Sequence, residues 1–106
     1  VSGYRIEPAA NHRLDEIYDY TADTWGEAQA EAYVGGLFTR FEAIAARRIP
    51  WRRIPAEFDV NGYFCRYERH FIYWKQFNDG GVGIVAILHE RMHHIERLRQ
   101  DWISEE

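Results

Sequence analysis

The stretch VGIVAILHERMHH, residues 82–94, decides how this chain folds. Its first half is purely aliphatic from Ile84 to Leu88, rich in β-branched residues and preceded by glycines. Its second half spells His89-Glu90-Arg91-Met92-His93, an H-E-x-x-H word. On a helix, residues four apart share a face, so both imidazoles would reach one zinc ion while the glutamate addressed its bound water. The β-branched run and its glycines predict a strand instead, with His89 and His93 on either side of a strand-to-loop boundary, where they cannot converge on a metal. A third ligand would have to come from the short remainder after His93 or from elsewhere, and no substrate-binding subdomain is recognisable. No metal and no cofactor are therefore expected.

Working outward, a run apolar on both faces wants the middle of a sheet with cover on each side. Asn78-Asp79-Gly80-Gly81 just before it is a strong hairpin signal, and Asn61–Tyr67 and His70–Phe77 read as two further strands around a turn near Glu68-Arg69. Upstream, Pro50 and Pro55 frame an irregular connection over residues 49–59. Before that, Ala30, Tyr33, Leu37, Phe41 and Ile44 recur at helical spacing. So do Leu14, Ile17, Tyr18, Thr21 and Trp25, with Gly26 breaking one helix from the other, which predicts an antiparallel helical hairpin. Gly35-Gly36 inside the second helix costs roughly 1 kcal/mol per residue relative to alanine, so close packing or a kink is expected there. Tyr4–Glu7 alternates like a short strand ended by Pro8, and Ile95, Leu98 and Trp102 suit a short terminal helix or tail.

The 106 residues, 46% apolar and 28% charged, suffice for a single domain over residues 1–106 with one core. No stretch is long enough to span a bilayer, and Val1–Ile6 lacks a leader's layout, so a cytoplasmic protein without membrane contact is expected. One cysteine, Cys65, excludes an internal disulfide. The net charge of −4 argues against holding nucleic acid by bulk electrostatics. Positive charge is nonetheless clustered: Arg47, Arg48, Arg52 and Arg53 surround Trp51, and all but one of the cations are arginines, whose planar forks suit carboxylate and phosphate.

Three words in order, LDEIYDYTADTWGEAQAEAY (residues 14–33), GYFCRYERHFIYWK (62–75) and VGIVAILHERMH (82–93), resemble the ParE branch of the RelE/ParE toxin superfamily of bacterial type II toxin-antitoxin systems. The resemblance spans nearly the whole chain. It implies an α+β fold of β-α-α-β-β-β order, an antiparallel sheet packed by the two-helix hairpin, with a short C-terminal helix or tail. HERMH is then similar to the family's strand ending, with His93 where aspartate is common.

The resemblance also implies a toxin that poisons DNA gyrase, acts without catalytic residues and is neutralised by a cognate antitoxin in a hetero-oligomer. The expected target surface is Arg47, Arg48, Trp51, Arg52 and Arg53 together with His89, Arg91 and Met92. A plainer role for the arginines is to offset the dipole of a helix C-terminus and cover apolar surface. The expected antitoxin contacts are Phe38, Trp51, Tyr73, Trp74 and Trp102, while Tyr18 and Trp25 lie on the inward helical stripe. The runner-up is ribosome-dependent mRNA cleavage of the RelE type, for which Arg66, Arg69, His70, Tyr73 and His89 supply the residue types without forming a convincing array. An inactive interaction module is the third reading. With 16% aromatic residues, a four-stranded sheet covered on one face would leave its other face and edges for a partner.

Overall fold

The computed structural model describes residues 3–103. Val1, Ser2 and residues 104–106, and with them the ends of the expected domain, lie outside the described residues. The elements follow as β1 (Tyr4–Ile6), α1 (Pro8–Trp25), α2 (Glu27–Ala45), β2 (Arg52–Arg53), a 3-10 turn (Ala56–Phe58), β3 (Tyr63–Tyr67), β4 (His70–Gln76), β5 (Val82–His89) and α3 (His94–Ile103). The fold is α+β. No helix among the described residues is long and apolar enough to cross a membrane.

β5 lies inside the sheet, whose order is β1-β5-β4-β3-β2. Every residue from Val82 to Leu88 is buried. An extra residue in β5, between the pairs Tyr73–Ala86 and Trp74–Ile84, shifts its alternation. Val82, Ile84 and Ile87 consequently face the helical hairpin, whereas Val85, Ala86 and Leu88 face the other way. The hairpin meets the first set with Ala10, Leu14 and Ile17 from α1 and Leu37, Phe41 and Ile44 from α2. Pro8 starts α1 where a missing N–H costs nothing, and Gly26, at φ 100°, ends α1 and begins α2.

Three expectations are corrected. The sheet is mixed rather than purely antiparallel, because β1 pairs with β5 in parallel, Tyr4 opposite Val82 and Ile6 opposite Ile84. It has five strands, since Arg52 and Arg53, in the segment read as irregular, pair with Phe64 and Tyr63. The second sheet face is not left open: Leu98 and Trp102 of α3 pack on it, together with Ile54 and Phe58, around Tyr73, Val85, Ala86 and Leu88. The terminal segment is therefore a helix that closes a second core.

The glycine pair in α2 divides. A Cβ at Gly36 would collide with the Tyr67 hydroxyl, so this residue is there for close approach, while Gly35 has nothing within 4 Å. Beside Gly36, Tyr33 of α2 hydrogen bonds to His70 Nδ1 of β4 at 2.7 Å, a polar tie between hairpin and sheet. Burial, reinforced by neighbouring His89, pushes the His70 imidazole down to about 4.

Two tests follow from this packing. A Cβ at Gly62 would lie 2.6 Å from both the Trp74 carbonyl oxygen and the Trp102 ring. Gly62→Ala is expected to cost about 1–3 kcal/mol in denaturant unfolding, and Gly35→Ala to stabilise by up to ~1 kcal/mol through helix propensity. Equal effects of the two substitutions would contradict the packing. For His70, the unfolded ring takes its proton near pH 6.5 and the folded ring only near 4. The unfolded state thus binds more protons in that window, and stability falls as pH drops from 6.5 to 4, by on the order of 1–2 kcal/mol after allowance for partial exposure. His70→Gln is expected to flatten that part of the pH–stability curve; an unchanged slope would count against the buried neutral ring.

Candidate functional site

The chain leaves the sheet at His89, turns through Glu90 and Arg91, and enters α3 at His94. His89 thus ends a strand and His93 sits in a loop, so H-E-x-x-H does not share one helical face. The His89 ring serves the turn instead, its Nδ1 accepting the Arg91 N–H at 3.2 Å. The His89 carbonyl accepts the Met92 N–H at 3.0 Å, and the His89 N–H lies 3.3 Å from the Met92 sulfur. His94 completes the strap. A carbonyl can only accept, so His94 Nε2–H donates to the His89 oxygen at 2.7 Å, which leaves Nδ1 to accept from the Tyr73 hydroxyl at 2.6 Å. Burial pushes that phenol up to about 12 and keeps it a donor.

Glu90 spans two arginines from the β3–β4 hairpin. One carboxylate oxygen accepts from Arg66 Nη2 and the other from Arg69 Nη1 at 3.2 Å, and Arg66 Nε donates to the Glu68 carbonyl at 2.8 Å. Burial acts to raise the Glu90 carboxyl, but the two guanidiniums outweigh it and hold the group below the usual carboxylate range. Around them the sheet face is aromatic, with Phe64 opposite Tyr73 and stacked with both Tyr73 and Phe71. The five residues weighed for phosphodiester chemistry do not form one array. His70 packs toward the hairpin against Tyr33, Tyr73 lies on the opposite face against His94, and both arginines are engaged by Glu90. The Glu90 clamp was not read from the sequence, because its partners lie 24 and 21 residues away.

The arginine cluster forms the far edge of the sheet. α2 ends where the Trp51 indole N–H donates to the Ile44 carbonyl at 3.0 Å, an aromatic cap on the helix C-terminus. Trp51 is wedged against Tyr63 and Trp74, at centroid distances of 5.0 and 5.8 Å. Arg47, at φ 59°, lays its guanidinium 3.7 Å above the Trp51 ring. Arg53 reaches over Tyr63 and donates to Asn61 Oδ1 at 3.1 Å. Arg48 and Arg52 are exposed. Arg53 is level with Tyr63 and Trp74, whereas His89 lies opposite His70 at the other end of the sheet. The residues expected to form one target surface, Arg47 to Arg53 with His89, Arg91 and Met92, therefore make two separate groups.

The aromatic residues expected at an antitoxin contact sort by burial. Trp74, Tyr73 and Trp102 are buried core residues, which removes them from the surface of this conformation. Trp51 is half-buried, and Phe38 is 36% exposed beside Phe41. Conversely, Trp25 is 71% exposed and Tyr20 69%. Trp25 keeps the inward helical spacing, but it is the last residue of α1 and belongs to neither core. Tyr18 is half-buried and outside both cores. Tyr20 and Trp25 border a groove of about 850 Å³ between the tip of the helical hairpin and the β3–β4 turn, lined also by Tyr33, Tyr67, Arg69 and His89.

Comparison with known proteins agrees with this arrangement. The family model for the ParE toxin of the type II toxin-antitoxin system parDE matches residues 4–94. Toxin ParE1 of Mycobacterium tuberculosis, from strains CDC 1551 / Oshkosh and ATCC 25618 / H37Rv, is 30% identical over 101 residues, spanning 86% of this chain and 92% of the relative. Toxin ParE of Escherichia coli is 30% identical over 98 residues, spanning 92% of this chain and 94% of the relative. A solved chain of the chromosomal ParDE TA system from P. aeruginosa superposes with a TM-score of 0.64 at 16% identity, covering 83% of this chain and 95% of that one, a likeness of fold. From the matched family and the extent of these alignments, the chain belongs to the ParE toxin family of type II toxin-antitoxin systems.

Proposed function

We propose that this toxin acts by binding DNA gyrase and blocking its cycle, and that a cognate antitoxin neutralises it in a hetero-oligomer in the cytoplasm. Family membership supports the reading, and the observation that carries it over mRNA cleavage is the Glu90 clamp. A ribonuclease of this fold needs free cations for the phosphorane and a base for the 2'-hydroxyl. Here the two hairpin arginines already share a carboxylate, and Tyr73 is held as a buried phenol among phenylalanines. An inhibitor needs no such array, because preferential binding to one state of its target is enough to stall it. No catalytic step is assigned to the chain, and neither a metal nor a cofactor is needed.

The antitoxin is assigned to the hairpin-tip groove. Large exposed aromatics bordering a concave surface favour a partner that brings apolar side chains, and an amphipathic helix supplies them at i, i+3 and i+4. Tyr20 and Trp25 take the place of the buried Trp74, Tyr73 and Trp102 in this assignment, and Trp51 and Phe38 lie outside the groove lining.

Purified toxin is expected to inhibit gyrase supercoiling or to raise the level of cleaved gyrase–DNA complex, and its induced expression to arrest growth with a DNA-damage response. Unaffected gyrase at saturating toxin would remove the target, and arrest with loss of translation would point to the ribosome. For the antitoxin, Tyr20→Ala with Trp25→Ala is expected to weaken the complex by 2 kcal/mol or more, roughly 30-fold in Kd, without lowering the toxin's melting temperature. Unchanged affinity would move the antitoxin elsewhere.

A further inference from the structure

We propose that the β2 edge is a ridge that docks on the phosphate backbone of duplex DNA. Four arginines fall within residues 47–53, and among the described residues none of the four has a carboxylate within ion-pair distance. Of the eight other arginines, Arg5, Arg13, Arg66 and Arg69 pair with Glu7, Glu16 and Glu90, while Arg40, Arg91, Arg97 and Arg99 form no ion pair among the described residues. What sets residues 47–53 apart is density, with four such cations within seven residues at one edge of an acidic protein.

The cluster is also organised. Arg47 rests on Trp51, which is itself fixed by its bond to the Ile44 carbonyl and by its contacts with Tyr63 and Trp74. Arg53 is held over Tyr63 and by Asn61. Guanidiniums held this way keep most of their donors outward and lose less side-chain freedom on meeting a phosphate.

Two features favour a duplex over other polyanions. Cross-strand partners share a sheet face, so Arg53, opposite Tyr63, belongs to the hairpin side, and Arg52, opposite Phe64, to the α3 side. Charge therefore stands on both flanks of a projecting edge, as required to meet the two phosphate chains that border a groove. Single-stranded nucleic acid is held by bases stacking on open aromatic faces. Here Arg47 covers Trp51, and Trp51 and Arg53 cover Tyr63, so those faces are already occupied.

The inference deepens the gyrase reading, since gyrase presents the toxin with bound DNA. It rests on that reading for its biological setting, but the contact is measurable without the enzyme. Binding of the whole toxin to a labelled duplex is followed by fluorescence anisotropy across a salt series. Four phosphate contacts give a slope of log K against log salt of roughly −3 to −4, and Arg52→Gln with Arg53→Gln is expected to reduce its magnitude by about 2. The melting temperature should hold, because both side chains are exposed. Absent duplex binding, an unchanged slope in the double variant, or equally tight binding to single-stranded DNA of the same length or to polyglutamate would overturn the proposal. Gyrase inhibition is scored separately. A toxin that binds duplex but spares gyrase removes only the target reading, and one that inhibits gyrase without binding duplex removes only this one.

Discussion

The structure depends on a strand that has no polar face. Seven consecutive residues of β5 are buried, and fully burying side chains such as valine, leucine and isoleucine is worth about 1.5–3 kcal/mol apiece, so both sides of the sheet must be covered. The bulge opposite Tyr73 and Trp74 divides these residues between the faces. The helical hairpin covers one group, and α3 with the 3-10 turn covers the other. The position of β1 follows as well: β5 needs a neighbour on the side away from β4, and Tyr4–Ile6 supplies it in parallel register. The motif that looked like a metal site is the end of this strand, where His89, with His94 just beyond the motif, turns the chain into α3.

Because the core uses most aromatic residues, the surface chemistry is carried by arginine. It is deployed in two ways. At the strand exit Arg66 and Arg69 converge on Glu90, which anchors the β3–β4 turn to the residues after β5. At the β2 edge Arg47 and Arg53 lie on aromatic rings, and none of the four arginines pairs with a carboxylate among the described residues. Glu90 thus offsets part of the positive charge at the strand exit, whereas the arginines of residues 47–53 have no carboxylate to offset theirs among the described residues.

Much of the fold was legible locally. The two-sided apolar run identified β5, the Asn-Asp-Gly-Gly turn bounded it, and helical spacing located α1, α2 and the Leu98 and Trp102 anchors of α3. Strand direction was not legible: β1 is joined to the rest through a helical hairpin, and no local pattern records which way it lies against β5. β2 was missed because two residues hold no period, and their pairing depends on β3. The site was less readable than the fold. Trp25 keeps the spacing of the inward stripe, yet it ends α1 exposed, while Trp74 and Trp102 read as surface residues until both sheet faces are known to be covered. The arginine cluster was visible as composition; that it sits on Trp51 and Tyr63 at a sheet edge required three dimensions.

Native-state hydrogen exchange on the β5 amides that bond to β4 tests the central claim most directly. If a doubly covered β5 is the structural keystone, these amides exchange only through global unfolding, are the slowest in the protein, and are indifferent to zinc or chelator. Exchange at a lower free energy than that of the α2 core, or protection that rises with zinc across residues 89–93, would contradict it.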